Sequence, residues 1–214
     1  MFQKLVKVHS PVDVTRFAAD EVDPTSVGLL PEDLNAIWKS VVSLYKTGLH
    51  PSIALCIRRH GKIVMDRSIG HSHGNGPENR KKKNQKELAT PGTLYNLFSA
   101  SKSVTAMLIH LLNERGELHL DDFVERYIPG FGQGGKRHIT IRHILTHRAG
   151  IPNISIEDNP LEILSDQKEI LRRLCTAKAI TRPGRNLAYH AFSGGFILGE
   201  IIEQLTGKNP REFL

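Results

Sequence analysis

The stretch from Leu88 to Asn113 constrains the fold most, because Lys102 is its only formally charged residue. Its second half, SASKSVTAMLIHLL from residue 99 onward, is apolar almost all round when it is drawn as a helix. A helix with apolar residues on every side needs other elements to cover it. The sequence therefore predicts a buried helix over roughly residues 99–115, against which much of the chain must pack.

Two strands are predicted before this helix and a run of helices after it. The segments SIALCIRR and KIVMDRSIG predict strands over 52–59 and 62–70, joined at His60-Gly61 as an antiparallel hairpin. Helices are predicted from Pro31 to a stop at Gly48, over LDDFVERYI (120–128), over 140–147 with Thr140 as N-cap, over 161–176 and over 191–206. Strands followed by helices indicate an α+β protein whose remaining sheet strands lie elsewhere.

The net charge of +7, from 29 basic and 22 acidic residues, raises the question of a nucleic-acid partner. Much of the excess sits in the run Arg80-Lys81-Lys82-Lys83, with Lys86 close by, among Asn, Gln, Gly and Pro. No aromatic residue lies in that run to stack on a base. A solvated loop is therefore favoured over a nucleic-acid site.

The location is predicted from what the sequence lacks. The N-terminal segment has no apolar run of signal-peptide length, and no segment approaches the length of a membrane span. The two cysteines, Cys56 and Cys175, have neither metal-binding nor redox spacing. We therefore expect a cytoplasmic protein that needs no membrane partner.

The pattern Ser-x-x-Lys, which some acyl-transferring serine enzymes use, is a weak signal here because it recurs. It occurs at Ser43/Lys46, Ser99/Lys102 and Ser165/Lys168. Helical spacing puts the first and third pairs on the polar faces of their helices. The Lys46-Thr47-Gly48 triplet is interpreted as a helix end, with a lysine in its last turn.

The pair Ser99/Lys102 differs, because it opens the apolar helix. The three-residue offset puts the lysine amine one turn from the serine, within reach of its hydroxyl. A lysine in an apolar site is easier to deprotonate, and can then act as a base near neutral pH. The alternative is that Ser99 only caps the helix while Lys102 extends to water.

Three ordered blocks resemble a known family. TLYNLFSASKSVTAMLIHLLNERGELHLDDFVERYIPGF resembles the nucleophile segment of the serine β-lactamase-like family, which includes class C β-lactamases, D-amino-acid peptidases and family VIII carboxylesterases. ITIRHILTHRAGIPN resembles its His-Leu-Leu-Thr-His-x-Ser-Gly segment, and RPGRNLAYHAFSGGFILGEIIEQLTGKNPREFL its second box and the following helix. The resemblance covers residues 30–214. It implies a β-lactamase/transpeptidase-like fold, an antiparallel sheet flanked by helices plus a helical lobe.

The sequence and the resemblance together predict the domain organisation. Residues 1–29 show no clear periodicity and are expected to form an N-terminal arm. The resemblance implies that residues 30–214 form an incomplete β-lactamase-related domain. Its first part, residues 30–115, holds the sheet hairpin and the nucleophile helix, and residues 116–214 form the helical lobe.

The resemblance also implies a site and a chemistry. Ser99 resembles the nucleophile, Lys102 its activating base and Tyr189 the tyrosine of the second box. The implied reaction forms an acyl-enzyme that water then hydrolyses, without a cofactor. Ala191 stands where β-lactamases have an asparagine that holds a substrate amide, which favours small carboxylic esters over β-lactams. His190 is a candidate substrate-binding residue, or else only a polar neighbour.

Two other classes of function remain open in the sequence. His143 and His147 have helical i, i+4 spacing, and His71 and His73 add possible zinc ligands, but no Glu lies between the first pair as in His-Glu-x-x-His. A non-catalytic penicillin-binding-like module is the second alternative. β-Lactamase or D-amino-acid peptidase activity is the alternative within the enzyme class.

The end of the chain carries one further expectation. A helix is predicted to begin near the end, with Asn209 as its N-cap, Pro210 at its first position and Glu212 at its third. The family's third box, which supplies the second oxyanion N–H, has no counterpart in these 214 residues. We therefore expect the N-terminal portion of a longer hydrolase, poorly soluble and impaired in ester turnover when expressed alone. Its oligomeric state is not predicted.

Overall fold

The chain forms two compact units, residues 1–96 and residues 97–214. A computed structural model describes residues 6–77, 86–153 and 163–214. Its helices are α1 (Pro11–Val14), α2 (Pro31–Lys46), α3 (Ser101–Glu114), α4 (Ile141–Leu145), α5 (Gln167–Thr176), α6 (Ser193–Thr206) and α7 (Pro210–Phe213). Its strands are β1 (Thr15–Phe17), β2 (Ser52–Arg59), β3 (Lys62–His73) and β4 (Glu87–Leu88). Short 3₁₀ turns lie at Pro24–Val27, Phe98–Ala100 and Val124–Arg126.

The first unit is an antiparallel sheet in the order β1-β3-β2, with β4 also paired to β3. The predicted hairpin is confirmed: Arg59 pairs with Lys62, and both His60 (φ 50°) and Gly61 (φ 78°) are left-handed. Two left-handed residues in a two-residue loop match the right-handed twist of the flanking strands. β1 comes from the segment predicted as an arm, where three residues are too few to show a period.

Helix α2 covers one side of this sheet, as its apolar stripe predicts. Tyr45 of α2 and Ile69 of β3 are both fully buried in one cluster. Leu34 of α2 lies in a second cluster with Val64 and Met65 of β3. These contacts bury the face of α2 opposite Ser43, which is exposed.

The second unit is helical, and its core lies between α3, α4, α5 and α6. Leu108, Ile109 and Leu112 of α3 are buried in the same cluster as Ile197 and Ile201 of α6. Both predicted N-caps near the site and the end of the chain are confirmed. The Thr140 side chain accepts the His143 N–H, and the Asn209 side chain accepts two N–H groups of α7.

Three expectations for this unit are wrong. The first turns of α3 are not buried, and Met107 is 69% exposed, so the helix is covered only along its later half. LDDFVERYI contains only the 3₁₀ turn Val124–Arg126, because Phe123 is extended and bridges to Thr140. The helix predicted from residue 161 is divided, since Asp166 caps α5 at Gln167; residues 161–162 lie outside the described chain.

The basic run and the expected lack of a membrane span can be compared with the structure only in the described residues. The basic run Arg80-Lys81-Lys82-Lys83 lies outside the described residues. Among the residues that the structure describes, none of the helices is both long and apolar enough to cross a lipid bilayer.

Candidate active site

Ser99 lies in a tight turn directly before α3. The 3₁₀ turn Phe98–Ala100 leads into the helix, and the Ser101 hydroxyl donates to the Phe98 carbonyl at 2.6 Å. Phe98 has φ 45°, which is unusual for an aromatic residue and costs conformational energy. Such outliers concentrate at functional sites, and this one presents Ser99 at the surface.

Lys102 and Tyr189 both reach the Ser99 hydroxyl. The Lys102 Nζ lies 3.3 Å from the Ser99 Oγ, one helical turn away. The Tyr189 hydroxyl donates to the same oxygen at 2.6 Å, although the two residues are 90 positions apart in sequence. The Lys102 Nζ also lies 5.3 Å from the centre of the Tyr189 ring. The structure thus brings together all three residues that the resemblance pointed to, within the second unit.

The chemistry of Ser99, Lys102 and Tyr189 depends on which of them carry a proton. When Tyr189 and Lys102 are both protonated, the Ser99 oxygen accepts from both and has no base to take its own proton. The hydrogen bond with Ser99 lowers the pKa of the Tyr189 phenol from its usual 10.0, and the nearby Lys102 lowers it further. Once the phenolate forms, the Ser99 hydroxyl can donate to it and be activated for attack.

Burial does not separate Ser99 from the other two Ser-x-x-Lys serines. Ser43 and Ser165 are exposed, but Ser99 is exposed as well, and Lys102 is only half-buried. Burial in an apolar helix therefore does not identify the nucleophile, contrary to the expectation from the sequence. What distinguishes Ser99 is the Tyr189 hydroxyl, which comes from a distant part of the sequence.

His190 lies beneath the site and is fully buried. Its Nδ1 lies 2.6 Å from the Ala188 carbonyl, and its Nε2 accepts the Ile151 N–H at 3.2 Å. Burial lowers the pKa of the His190 imidazole, so the neutral form with a proton on Nδ1 fits both contacts. Because the backbone uses both ring nitrogens, this arrangement favours the polar-neighbour alternative over a substrate contact through the ring.

A small cavity of about 60 Å³ lies beside Lys102. Its lining includes Ile144, Leu145 and Leu198 together with His147 and His190, and most of the lining surface is apolar. The Lys102 side chain thus borders an apolar cavity and also lies near the Ser99 hydroxyl.

The zinc alternative gains no support from the described residues. Within that part of the chain, no three His, Cys, Asp or Glu side chains are grouped to hold a metal ion. The His143 Nδ1 accepts the Thr140 N–H at 3.2 Å, completing the cap of α4. The His147 Nδ1 accepts the His190 N–H, also at 3.2 Å. Each histidine thus has a backbone partner at Nδ1.

The sheet, the helical unit and the serine-centred trio together define the class of the β-lactamase/transpeptidase-like proteins. The family model described as Beta-lactamase matches residues 41–214. The chain belongs to the β-lactamase family.

Relatives with known names refine this placement. The esterase EstB of Burkholderia gladioli is 29% identical over 211 residues, covering 89% of this chain and 50% of its own length. The esterase/β-lactamase LipL of Mycobacterium tuberculosis is 35% identical over 118 residues, covering 54% of this chain and 26% of its own. A penicillin-binding protein homologue from Caulobacter crescentus superposes with a TM-score of 0.73 at 27% identity, covering 86% of this chain and 47% of that protein. The chain thus spans half or less of the length of these relatives.

Sequence reasoning did not place His147 at the site. Its ring packs against the Tyr189 ring, with 4.9 Å between centres. The spacing of His143 and His147 gave no hint of this contact. A positive φ at a non-glycine residue is a structural signal that sequence alone does not carry.

Proposed function

We propose that the chain carries the acyl-transfer site of an esterase-like serine hydrolase that acts on small carboxylic esters. The observation that carries the proposal is the convergence of the Tyr189 hydroxyl and the Lys102 amine on the Ser99 oxygen, at 2.6 and 3.3 Å. The names of two relatives, an esterase and an esterase/β-lactamase, agree with it.

The proposed reaction has two steps. Ser99 attacks the ester carbonyl carbon, its proton passes to the Tyr189 phenolate, and the C–O bond to the alcohol breaks as the alcohol takes up that proton. Water then attacks the acyl carbon and gives one proton to the Tyr189 phenolate. The bond between the acyl carbon and the Ser99 Oγ breaks, Oγ takes that proton back from Tyr189, and the carboxylic acid leaves. The hydrogen bond with Ser99 and the nearby Lys102 lower the pKa of the Tyr189 phenol, which stabilises the phenolate that takes up the proton.

The test replaces each serine of the three Ser-x-x-Lys pairs. Ser99→Ala should reduce hydrolysis of a short-chain p-nitrophenyl ester to the uncatalysed rate measured in buffer without protein. Ser43→Ala and Ser165→Ala should keep the full rate. A fluorophosphonate adduct should map to Ser99. Equal losses in all three variants would refute the assignment, and a folded protein without adduct or turnover would favour the non-catalytic module.

Substrate class is tested with the same protein. Ala191 cannot hold a substrate amide as an asparagine does, so short acyl esters should give a higher kcat/KM than nitrocefin or a cephalosporin. A β-lactam that matches the esters would instead favour the β-lactamase alternative, which the name of LipL includes.

The remaining expectations are part of this proposal. The partner is a small-molecule ester rather than a nucleic acid or a membrane, and the location is cytoplasmic, which cell fractionation would test.

A further inference from the structure

The segment that follows α4 contains a strained residue next to the site. His147 has φ 58°, in the left-handed region where few non-glycine residues are found. Among the described residues, the other two with such a φ are His60 in the hairpin loop and Phe98 beside Ser99. The hairpin explains His60, and the turn before α3 explains Phe98. His147 follows the C-cap of α4: its N–H donates to the Ile144 carbonyl and the Arg148 N–H donates to the His143 carbonyl, so its left-handed φ ends the helix. The same residue also makes contacts with the segment that carries Tyr189.

His147 contacts Tyr189 and both of its neighbours in sequence. The His147 carbonyl accepts the Ala188 N–H at 3.0 Å, and its Nδ1 accepts the His190 N–H at 3.2 Å. Its ring lies 4.9 Å from the Tyr189 ring, inclined at 58°. One residue thus holds the backbone on both sides of Tyr189 and supports the aromatic ring between them.

Tyr189 depends on such support because the core does not hold it. Its side chain is 54% exposed, so packing alone leaves the ring free to turn. The bond to Ser99 needs the hydroxyl at one place, 2.6 Å from the Oγ. A right-handed conformation at His147 would redirect both its carbonyl and its ring. The left-handed conformation that ends α4 thus also directs the His147 carbonyl and ring to these contacts.

We propose that His147 is a positioning residue that holds the Tyr189 hydroxyl against the Ser99 oxygen. The inference rests on the proposed function, because it acts through the tyrosine that activates Ser99. His147 itself does not exchange a proton with the substrate. It fixes the backbone of residues 188–190 and the plane of the tyrosine ring through its carbonyl, its Nδ1 and its ring.

Two substitutions separate the parts of this role. His147→Gly relieves the strain but removes both the acceptor and the ring. His147→Asn also tolerates a left-handed φ, and its side-chain oxygen takes the place of Nδ1 as acceptor for the His190 N–H. Misplacement by about 1 Å can cost about 10²-fold in rate, so we expect His147→Gly to lower kcat about 10²-fold with little change in KM. His147→Asn should recover part of this loss.

The decisive readout is a double-mutant cycle with Tyr189→Phe. If His147 acts through the tyrosine hydroxyl, His147→Gly should cost little further activity once that hydroxyl is gone. The pH dependence gives a second readout. Activity should rise with pH as the Tyr189 phenolate forms. In His147→Gly this rise should occur at higher pH, because a weaker hydrogen bond between Tyr189 and Ser99 favours the phenolate less. A residue that only stabilises the fold would change neither.

Controls keep the outcomes distinct. His60→Gly removes the same residue type from a similar φ in the other unit and should leave ester hydrolysis unchanged. The rate of fluorophosphonate labelling at Ser99 replaces turnover if turnover is too slow to measure. If His147→Gly does not fold in a melting experiment, His147→Asn, which keeps the acceptor, is tested in its place in the same cycle.

Each result then has one meaning. Failure of Tyr189→Phe to reduce activity would overturn the proposed function itself. If Tyr189→Phe reduces activity and the His147 substitution reduces it further by its full amount in that background, only the positioning role is overturned. Full activity of both His147 variants would do the same.

Discussion

Replacing Tyr189 by phenylalanine is the substitution whose consequences follow most directly from the structure. It removes one oxygen, which donates to the Ser99 Oγ at 2.6 Å. The residue is 54% exposed, so no buried partner is left unpaired and stability should change little. Proton transfer by a positioned side chain contributes about 10²- to 10⁴-fold to a rate, and kcat for a p-nitrophenyl ester should fall within that range.

The pH profile gives the sign of the effect. The bond with Ser99, aided by Lys102, lowers the pKa of the Tyr189 phenol below 10.0. The phenolate fraction grows as pH rises, so kcat/KM should increase with pH. The apparent pKa of this rising part of the profile should lie below 10.0. In Tyr189→Phe this limb should disappear.

Tyr127 provides a matched control in the same unit. Its hydroxyl also donates at 2.6 Å, to the Asp122 carboxylate, and burial together with this bond raises the pKa of Tyr127 to about 12. Tyr127→Phe should cost about 1 to 3 kcal/mol of unfolding free energy, because a charged acceptor loses its donor, and leave kcat unchanged. Equal losses of kcat in both variants, or an unchanged pH limb in Tyr189→Phe, would refute the role of the Tyr189–Ser99 bond.

Two further predictions concern stability and are read by thermal or urea denaturation. His60→Asn should stabilise the first unit by about 0.5 kcal/mol, because asparagine before glycine suits a loop with two left-handed residues; a lower melting temperature would contradict the assigned turn. Gly150→Ala should destabilise the second unit by roughly 2 to 4 kcal/mol, since its φ is 76° and the added Cβ would lie 2.5 Å from the Thr181 carbonyl oxygen. Gly195→Ala is its control, because no atom lies within 4 Å of that Cβ and alanine favours the helix by up to about 1 kcal/mol, so equal losses in the two variants would refute the steric argument.

The sequence predicted best those elements whose signals are local. The hairpin and α2 each carry their own period, and the N-caps of α4 and α7 are short patterns of residue type that need no distant partner. LDDFVERYI failed because its helical spacing competes with a tertiary contact. Phe123 bridges to Thr140, and that extended residue limits the segment to a 3₁₀ turn. Similarly, three residues of β1 show no alternation, and only their pairing with β3 makes them a strand.

The site shows the same division between local and distant information. Helical spacing brings the Lys102 amine near Ser99, and the structure has them at 3.3 Å. Nothing local to Ser99 indicates Tyr189; the family resemblance singled it out, and the contact depends on how the segment before α6 returns to α3. His147 is harder still to find, because it contributes two hydrogen bonds to backbone N–H groups and a ring contact rather than a reactive group. Residue types and spacing therefore point to the groups that react, whereas the residues that orient them are found only once the chain is folded.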